Sequence, residues 1–533
     1  MANTQQELFA WLRSGIIGER ATIPTPFGPR PLIYADYTAS GRAFAPIEDF
    51  IQQRVLPFYA NTHSESAYTG RQTHRFREQA REQVRQAVNA SAEHAVIFCG
   101  SGATGAINRL IDCLGLRHAQ PGAERPVVVV GPFEHHSNEL PWRESAVDLR
   151  HVPLSADGGF DEAALDALLA TLKPGFFASF SAASNVTGVR CATKRISERV
   201  HAAGGRVFWD YAAAGPYVAI DASDKDAIFL SPHKFLGGPG TPGVLVVRKD
   251  LLTGAVPAVP GGGTVSFVSP DGHRYLEAPE RREEGGTPPI VETVRAGLAF
   301  ALKEKVGAAR IEAQEERLLA RAEAALGALP ELRLLGPRCG PRLATLSFQI
   351  FRGAQPLHYG FVVALLNDLF GIQVRGGCSC AGPYAHHLLG ISEADSQRFD
   401  EAIASGHAVL RPGWVRMNFN YFLDEESFTY LLDAVTFVAK KGYRFLPLYR
   451  YCPTEGRWIH RDDAGAGLTA LASAFEDDLL SPPRCDAPLA TFLAAAEAAT
   501  PPCPERAGAA PARLPEVPEA LSPLQWFYLP PAA

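Results

Sequence analysis

The chain has 533 residues, 46% of them hydrophobic and 20% charged, with a net charge of −6; that is room for two or three globular domains and no basic surface for nucleic acid or an anionic membrane. No apolar run approaches the ~18 residues of a membrane span, and the opening MANTQQELFAWLRSGIIGER has no basic flank leading into an apolar core, so neither a span nor a secretory signal is expected. Nine cysteines, an odd number at irregular spacing, argue against a disulfide framework and for a reducing, cytoplasmic setting.

In chain order, residues 1–30 read as an N-terminal helical segment belonging with a small domain. From about 31 to 290 short apolar runs alternate with helical patterns: HAVIFCG, PVVVVGP, GFFASFSA, GRVFWD, DAIFLSP and GVLVVRK are the near-continuous runs of strands buried on both faces. Between them lie ATGAINRLIDCLG and ATKRISERVHAAGG, the latter stopped by Gly204 and Gly205. This alternation specifies an α/β domain with a large, mostly parallel sheet, whose ligands belong at the carboxyl ends of the strands. A helical pattern at 288–326 leads into a smaller α+β domain, 291–460, containing RLATLSFQI and GWVRMNFN. Residues 461–533 form an Ala/Pro-rich extension, and 477–523 read as a tail or linker with little packing of its own.

Several strand ends carry reactive side chains. Lys234, in DAIFLSPHKFLGG, directly follows a buried strand, where a partly desolvated amine has a lowered pKa and can condense with an aldehyde. Taken alone, a lysine there is more often an ordinary loop residue, but Ser231 and His233 add donors suited to a phosphate. Asp210 ends GRVFWD, and a buried carboxylate needs a cation; a protonated pyridine nitrogen would serve and would make a pyridoxal phosphate ring an electron sink. FCGSGATGAINRL runs from a strand through glycines into a helix, an anion site to which Thr104 adds a hydroxyl. His135, in GPFEHHSNELPW, is placed to stack on a flat cofactor, and Asn185, in SAASNVTG, to donate to a ring hydroxyl.

The stretch RGGCSCAGP, Arg375 to Pro383, sets two thiols one residue apart on a glycine-rich loop. A disulfide between residues so close is disfavoured. A metal site built from Cys378, Cys380, His386 and His387 is one reading, although zinc sites space their cysteines more widely, and no metal is assigned. The others are a nucleophile and an incidental pair.

EHHSNELPW, SNVTG, SPHK, EEGGTP and RGGCSCAGP, in this order and at these separations, resemble the class V aminotransferase-like enzymes, and within them the cysteine desulfurases and selenocysteine lyases with a short R-x-G-x-x-C-A-x-P loop. The resemblance covers roughly residues 30–440 and implies a fold type I homodimer that holds pyridoxal 5'-phosphate. It makes Lys234 the cofactor lysine, Asp210 the partner of the pyridine nitrogen, and His135 the stacking histidine that also handles protons. Ala103, Thr104, Ser231 and His233 match phosphate contacts, and Thr287 matches the phosphate contact donated across the dimer. Arg416 matches the arginine that holds the substrate carboxylate, with Arg375 beside it as a further substrate contact. Cys380, directly before Ala381, matches the nucleophile that takes sulfur from L-cysteine to leave L-alanine and an enzyme persulfide; Cys378 is then dispensable. A sulfur-acceptor protein is an implied partner. Three positions depart from the family: Ala213 stands in place of a glutamine, Gly105 in place of a glutamate, and Tyr37 in place of a small or amide residue. The alternative is another class V reaction, a selenocysteine lyase, C–S lyase, aminotransferase or epimerase.

Overall fold

The computed structural model describes residues 5–62, 65–119, 122, 124–338, 340–463, 465, 468–475, 481–503 and 512–531. The chain divides into two compact units, a large one of residues 37–314 with 337–343 and a smaller one of 1–36, 315–336 and 344–533.

The large unit is built on a seven-stranded sheet: β1 (His94–Cys99), β2 (Val127–Val130), β3 (Asp148–His151), β4 (Phe177–Ser181), β5 (Arg206–Asp210), β6 (Ala227–Leu230) and β7 (Gly243–Arg248), in the order β1-β7-β6-β5-β4-β2-β3. β7 runs antiparallel to β1 and β6, and the other pairs are parallel. Six of the seven are the continuous apolar runs of the sequence. The seventh, β3, is an edge strand whose Asp-Leu-Arg-His carries no such run and is partly exposed, so the periodicity of the sequence does not reveal it. Because β1, β4, β5 and β6 are parallel, their carboxyl ends open on one edge of the sheet, and the loops that follow them carry Ala103, Asn185, Ala213 and Lys234.

The helical pattern at 288–326 is two helices, Ile290–Val306 and Ala308–Leu326, broken at Gly307, whose φ of 89° is unfavourable for other residues. The first belongs to the large unit. A Cβ at its Gly297 would lie 2.6 Å from Ala80 Cα, in the helix Tyr68–Ala87, so a glycine is what permits the two helices to approach this closely. The large unit thus takes in this helix and runs on to residue 314, inside the second helix.

The smaller unit has a five-stranded antiparallel sheet, in which β8 (Leu332–Leu334), β9 (Thr345–Arg352), β10 (Arg375–Gly377) and β11 (Trp414–Asn418) lie in the order β8-β9-β11-β10 and the two-residue strand Gln355–Pro356 pairs with the end of β9. The N-terminal helix Gln5–Ser14 belongs to it, with Arg13 Nη1 donating to Phe422 O at 2.8 Å. The expectation that 477–523 packs little is corrected for its described residues. The helix Ala490–Ala498 and the described residues 512–531 bury Phe492, Ala496, Leu514, Val517 and Leu524 in the core of this unit, followed by Phe527 and Tyr528. The Ala/Pro background of this stretch masks a sparse set of large apolar side chains, and these few supply the packing.

His358 is fully buried in that core beside Trp526 and Phe527. Its Nε2 donates to Val409 O at 3.1 Å and its Nδ1 accepts from Gly360 N at 2.9 Å, so the ring is neutral. Burial pushes its pKa down to about 3, against the lesser opposing pull of the Val409 carbonyl. A histidine whose folded pKa is depressed contributes stability above its unfolded value of about 6.5, lost at ~1.4 kcal/mol per pH unit as the pH falls toward 3. His358→Asn keeps an acceptor for Gly360 N and does not titrate. The stability advantage of the native chain over this variant is expected to shrink by roughly 2 kcal/mol between pH 7 and pH 5 in urea unfolding; parallel pH dependences would contradict this.

Candidate active site

In the large unit, β1 runs into Gly100 and Gly102, with φ of 46° and 55°, before the helix Gly102–Cys113. A Cβ at Gly102 would lie 2.8 Å from both His233 Cε1 and Ser231 Oγ, so the exits of β1 and β6 touch. Ala103 N donates to Ser231 Oγ at 2.8 Å. A Cβ at Gly105 would meet Cys99 O and Gly100 Cα at 2.9 Å; this turn is too tight for the glutamate of the family, which gives the departure at Gly105 a steric cause. Thr104 Oγ1 and Ser137 Oγ are 2.6 Å apart. Ser137 in turn lies 3.0 Å by its hydroxyl from His135 Nδ1, and its backbone N donates to the same nitrogen at 3.1 Å. His135 Nδ1 is therefore an acceptor, and the neutral ring carries its proton on Nε2. Ser137, which the sequence reading passed over, joins the helix-start residue Thr104 to His135.

Asp210 closes β5, 4% exposed, with Oδ1 accepting from Ala212 N at 2.8 Å. Burial pushes its pKa up, and the positive charge of Lys234 is among the opposing influences. Lys234 ends the short turn Pro232–Lys234 after β6. Burial, and then the charge of Lys234, push His233 down to about 4, leaving a neutral ring. Ala213 is buried beside Ala212 and offers no side-chain donor where the family has one. Asn185 is buried on the turn after β4, where Ser184 Oγ accepts from Val186 N and Thr187 N, each at 3.2 Å.

Two acids that the sequence reading did not single out fix these loops. Glu134 accepts from Ser181 N at 2.9 Å, Ser181 Oγ at 2.6 Å and Asn138 Nδ2 at 2.6 Å, which bolts the turn carrying His135 to the end of β4. Burial pushes its pKa up to about 7 despite those donors. Glu284, in EEGGTPP, receives Arg81 at 2.8 and 2.9 Å and Phe98 N at 2.7 Å, and pairs with Arg77. It thereby anchors the loop leading to Thr287, which is exposed and accepts from Asn61 Nδ2 at 3.3 Å.

In the smaller unit, Arg375 and Arg416 stand opposite each other across β10 and β11. Like charges so placed repel, and Asp36 resolves the repulsion: its Oδ2 is 3.0 Å from Arg375 Nε and its Oδ1 3.0 Å from Arg416 Nη2. Asp36 lies in YADYTASG, where the sequence reading noted only Tyr37. Arg416 is 4% exposed, whereas the Arg375 side chain is half exposed. From Gly377, the last residue of β10, the φ angles turn positive, 122° there and 54° and 55° at Ser379 and Cys380. That conformation costs a non-glycine residue ~1–2 kcal/mol and persists where the surroundings impose it. Ala381 N closes the turn on Cys378 O at 3.3 Å, and the helix Gly382–Leu389 follows. Cys380 is exposed and Cys378 half-buried. Both His386 nitrogens are engaged, Nδ1 with Gly382 O at 2.8 Å and Nε2 with Ser396 Oγ at 2.7 Å. Among the described residues no group of three or more His, Cys, Asp or Glu is placed to hold a metal ion.

The sequence profile of the family described as aminotransferase class-V matches residues 33–411. A cysteine desulfurase of Dickeya dadantii is 32% identical over 361 residues, 66% of this chain and 84% of that protein. Another, of Synechococcus elongatus, is 32% identical over 360 residues, 66% of this chain, and the match spans 55% of the relative's own length. Among solved structures, the apo cysteine desulfurase of Thermococcus onnurineus NA1 superposes with a TM-score of 0.65 at 26% identity, over 77% of this chain and 95% of that one. A cysteine desulfurase of Escherichia coli gives 0.64 at 25% identity, over 81% and 98%. The α/β architecture is thus the fold type I arrangement of these proteins, and the chain belongs to the aminotransferase class-V family as a cysteine-desulfurase-like enzyme.

Proposed function

We propose that the protein holds pyridoxal 5'-phosphate on Lys234 and converts L-cysteine to L-alanine, with Cys380 taking the sulfur as a persulfide. The observation that carries this reading is the loop after β10, which holds an exposed thiol in a left-handed conformation five positions along the chain from Arg375, one of two arginines clamped by one aspartate. The residues of the large unit fit the cofactor. Gly102 leaves a gap that a Cβ would fill against Ser231 and His233, with helix-start amides and hydroxyls around it suited to a phosphate. Asp210 is a buried carboxylate that a cationic ring nitrogen would satisfy. When bound, pyridoxal phosphate supplies an electron sink for cleaving bonds near the substrate amino group.

The remaining steps belong to the chain. Arg416 takes the substrate carboxylate, its direction set by Asp36. His135, with its ring proton on Nε2, carries a proton. Cys380 gives up its thiol proton and its sulfur bonds to the sulfur of the substrate as the substrate's carbon–sulfur bond breaks; one proton ends on the alanine carbon and the enzyme keeps S–SH, so atoms and electrons balance without an oxidant. A homodimer in which Thr287 reaches its neighbour's phosphate, a cytoplasmic setting and a thiol-bearing acceptor protein complete the reading. Among the described residues no helix is long and apolar enough to cross a membrane.

Product analysis with L-cysteine tests the function: alanine with sulfide under reducing conditions is expected. Pyruvate with ammonia would instead identify a C–S lyase. Arg416→Lys is expected to raise the KM for cysteine roughly 10- to 150-fold, the ~1.5–3 kcal/mol of a charge-assisted hydrogen bond, with the cofactor's absorbance unchanged. An unaltered KM would remove Arg416 from the substrate site.

A further inference from the structure

The aminotransferase class-V match ends at residue 411, yet the last segment of the chain reaches back to the foundation of the cysteine loop. Trp526 stacks on Tyr359 at 6.1 Å between ring centres with 13° between planes, and on His358 at 5.5 Å with 26°. Its Nε1 donates to Leu410 O at 3.0 Å. Phe527 meets His358 edge-on at 4.9 Å, and Tyr528 N donates to Pro356 O at 2.8 Å. Tyr359 in turn lies flat against the loop's strand. A Cβ at Gly376 would stand 2.6 Å from Tyr359 Cδ2, and one at Gly413 would stand 2.8 Å from Tyr359 Cδ1 and from the Gly377 carbonyl carbon. Two glycines therefore make room for one ring. The Cys378 thiol is close enough to be among the groups acting on the Tyr359 phenol. The chain of contact thus runs Trp526, Tyr359, Gly376 and Gly377, and ends at the left-handed Ser379 and Cys380, whose strain needs a rigid support.

We infer that the C-terminal segment is a brace for the cysteine loop, with Trp526 and Tyr359 as positioning residues that hold the Cys380 thiol in its reactive placement. Its effect on turnover rests on the proposed persulfide chemistry; its effect on the thiol does not. Aromatic rings suit this role because they fill a large area at little cost in side-chain entropy.

The test uses the full-length, cofactor-loaded protein and reads two quantities: the rate of iodoacetamide alkylation at Cys380, followed by peptide mapping, and steady-state kinetics with cysteine. Trp526→Ala is expected to change the Cys380 alkylation rate at least threefold and to lower kcat roughly tenfold or more, as displacements of about 1 Å do, with KM and cofactor absorbance kept. Trp526→Phe, which retains a ring on Tyr359, is expected to restore both. Phe492→Leu, in the helix Ala490–Ala498 and outside the stack, is the stability control: it is expected to lower the melting temperature while leaving alkylation and kcat unchanged. If Trp526→Ala alters only the melting temperature, or if Phe492→Leu shifts the thiol equally, the brace is overturned. Were the chain to lack desulfurase activity altogether, the alkylation rates would still decide the matter.

Discussion

Lys234→Ala is expected to reduce turnover of cysteine by roughly 10³–10⁴-fold or more, the scale associated with losing a positioned proton-transfer group, here compounded by loss of the covalent hold on the cofactor. The physical case begins at the sheet edge. β5 and β6 are adjacent parallel strands, so Asp210 and Lys234 leave the sheet side by side, one acid and one base at buried strand ends. The positive charge of Lys234 opposes the burial that pushes Asp210 up and adds to the burial that pushes His233 down. Removing the amine takes away that positive charge and should let Asp210 and His233 both shift upward in pKa. The measurement is borohydride reduction of the loaded protein followed by peptide mapping. Label on the Lys234 peptide is expected in the native chain and none in the variant. Label on another lysine would relocate the site.

Cys380→Ser carries the second large effect. It is expected to abolish persulfide formation and at least ~99% of alanine release while leaving the bound cofactor's spectrum intact, because a serine hydroxyl is far less ionised and less nucleophilic than a thiol. Cys378→Ser is expected to retain most turnover: Cys378 is half-buried and its carbonyl, not its thiol, closes the turn on Ala381 N. Exchange of these two outcomes would move the nucleophile to Cys378. Full activity in the double variant would end the persulfide mechanism.

How much of this was legible in the sequence follows from what each feature depends on. Continuous apolar strands announce themselves because burial on both faces excludes polar residues, and six of the seven strands of the large sheet did so. β3 did not, since an edge strand half in solvent tolerates Asp148, Arg150 and His151. Lys234, Ser231 and His233 could be named from their place after a buried strand, and Ala103 from the resemblance; the structure gathers Ala103, Ser231 and His233 around Gly102. Their supports were hidden. Ser137, Glu134 and Asp36 act through contacts with residues distant in sequence or through a turn geometry, and a serine or an acid in a loop has no periodicity to mark it. Asp36 shows this most plainly: Arg375 and Arg416 lie 339 and 380 residues away, and only the antiparallel pairing of β10 and β11 makes a shared carboxylate necessary. The extension was misread for the opposite reason, since Ala/Pro composition outweighed the few aromatic residues that anchor it.

The central claim, that Cys380 receives the sulfur of L-cysteine, is tested most directly by mass spectrometry of the protein after one turnover with an equimolar amount of cysteine. A gain of one sulfur on the peptide containing Cys380, matched one-to-one by alanine released, is the predicted result. An unmodified Cys380 peptide accompanied by pyruvate and ammonia, or by alanine without any protein-bound sulfur, would contradict it.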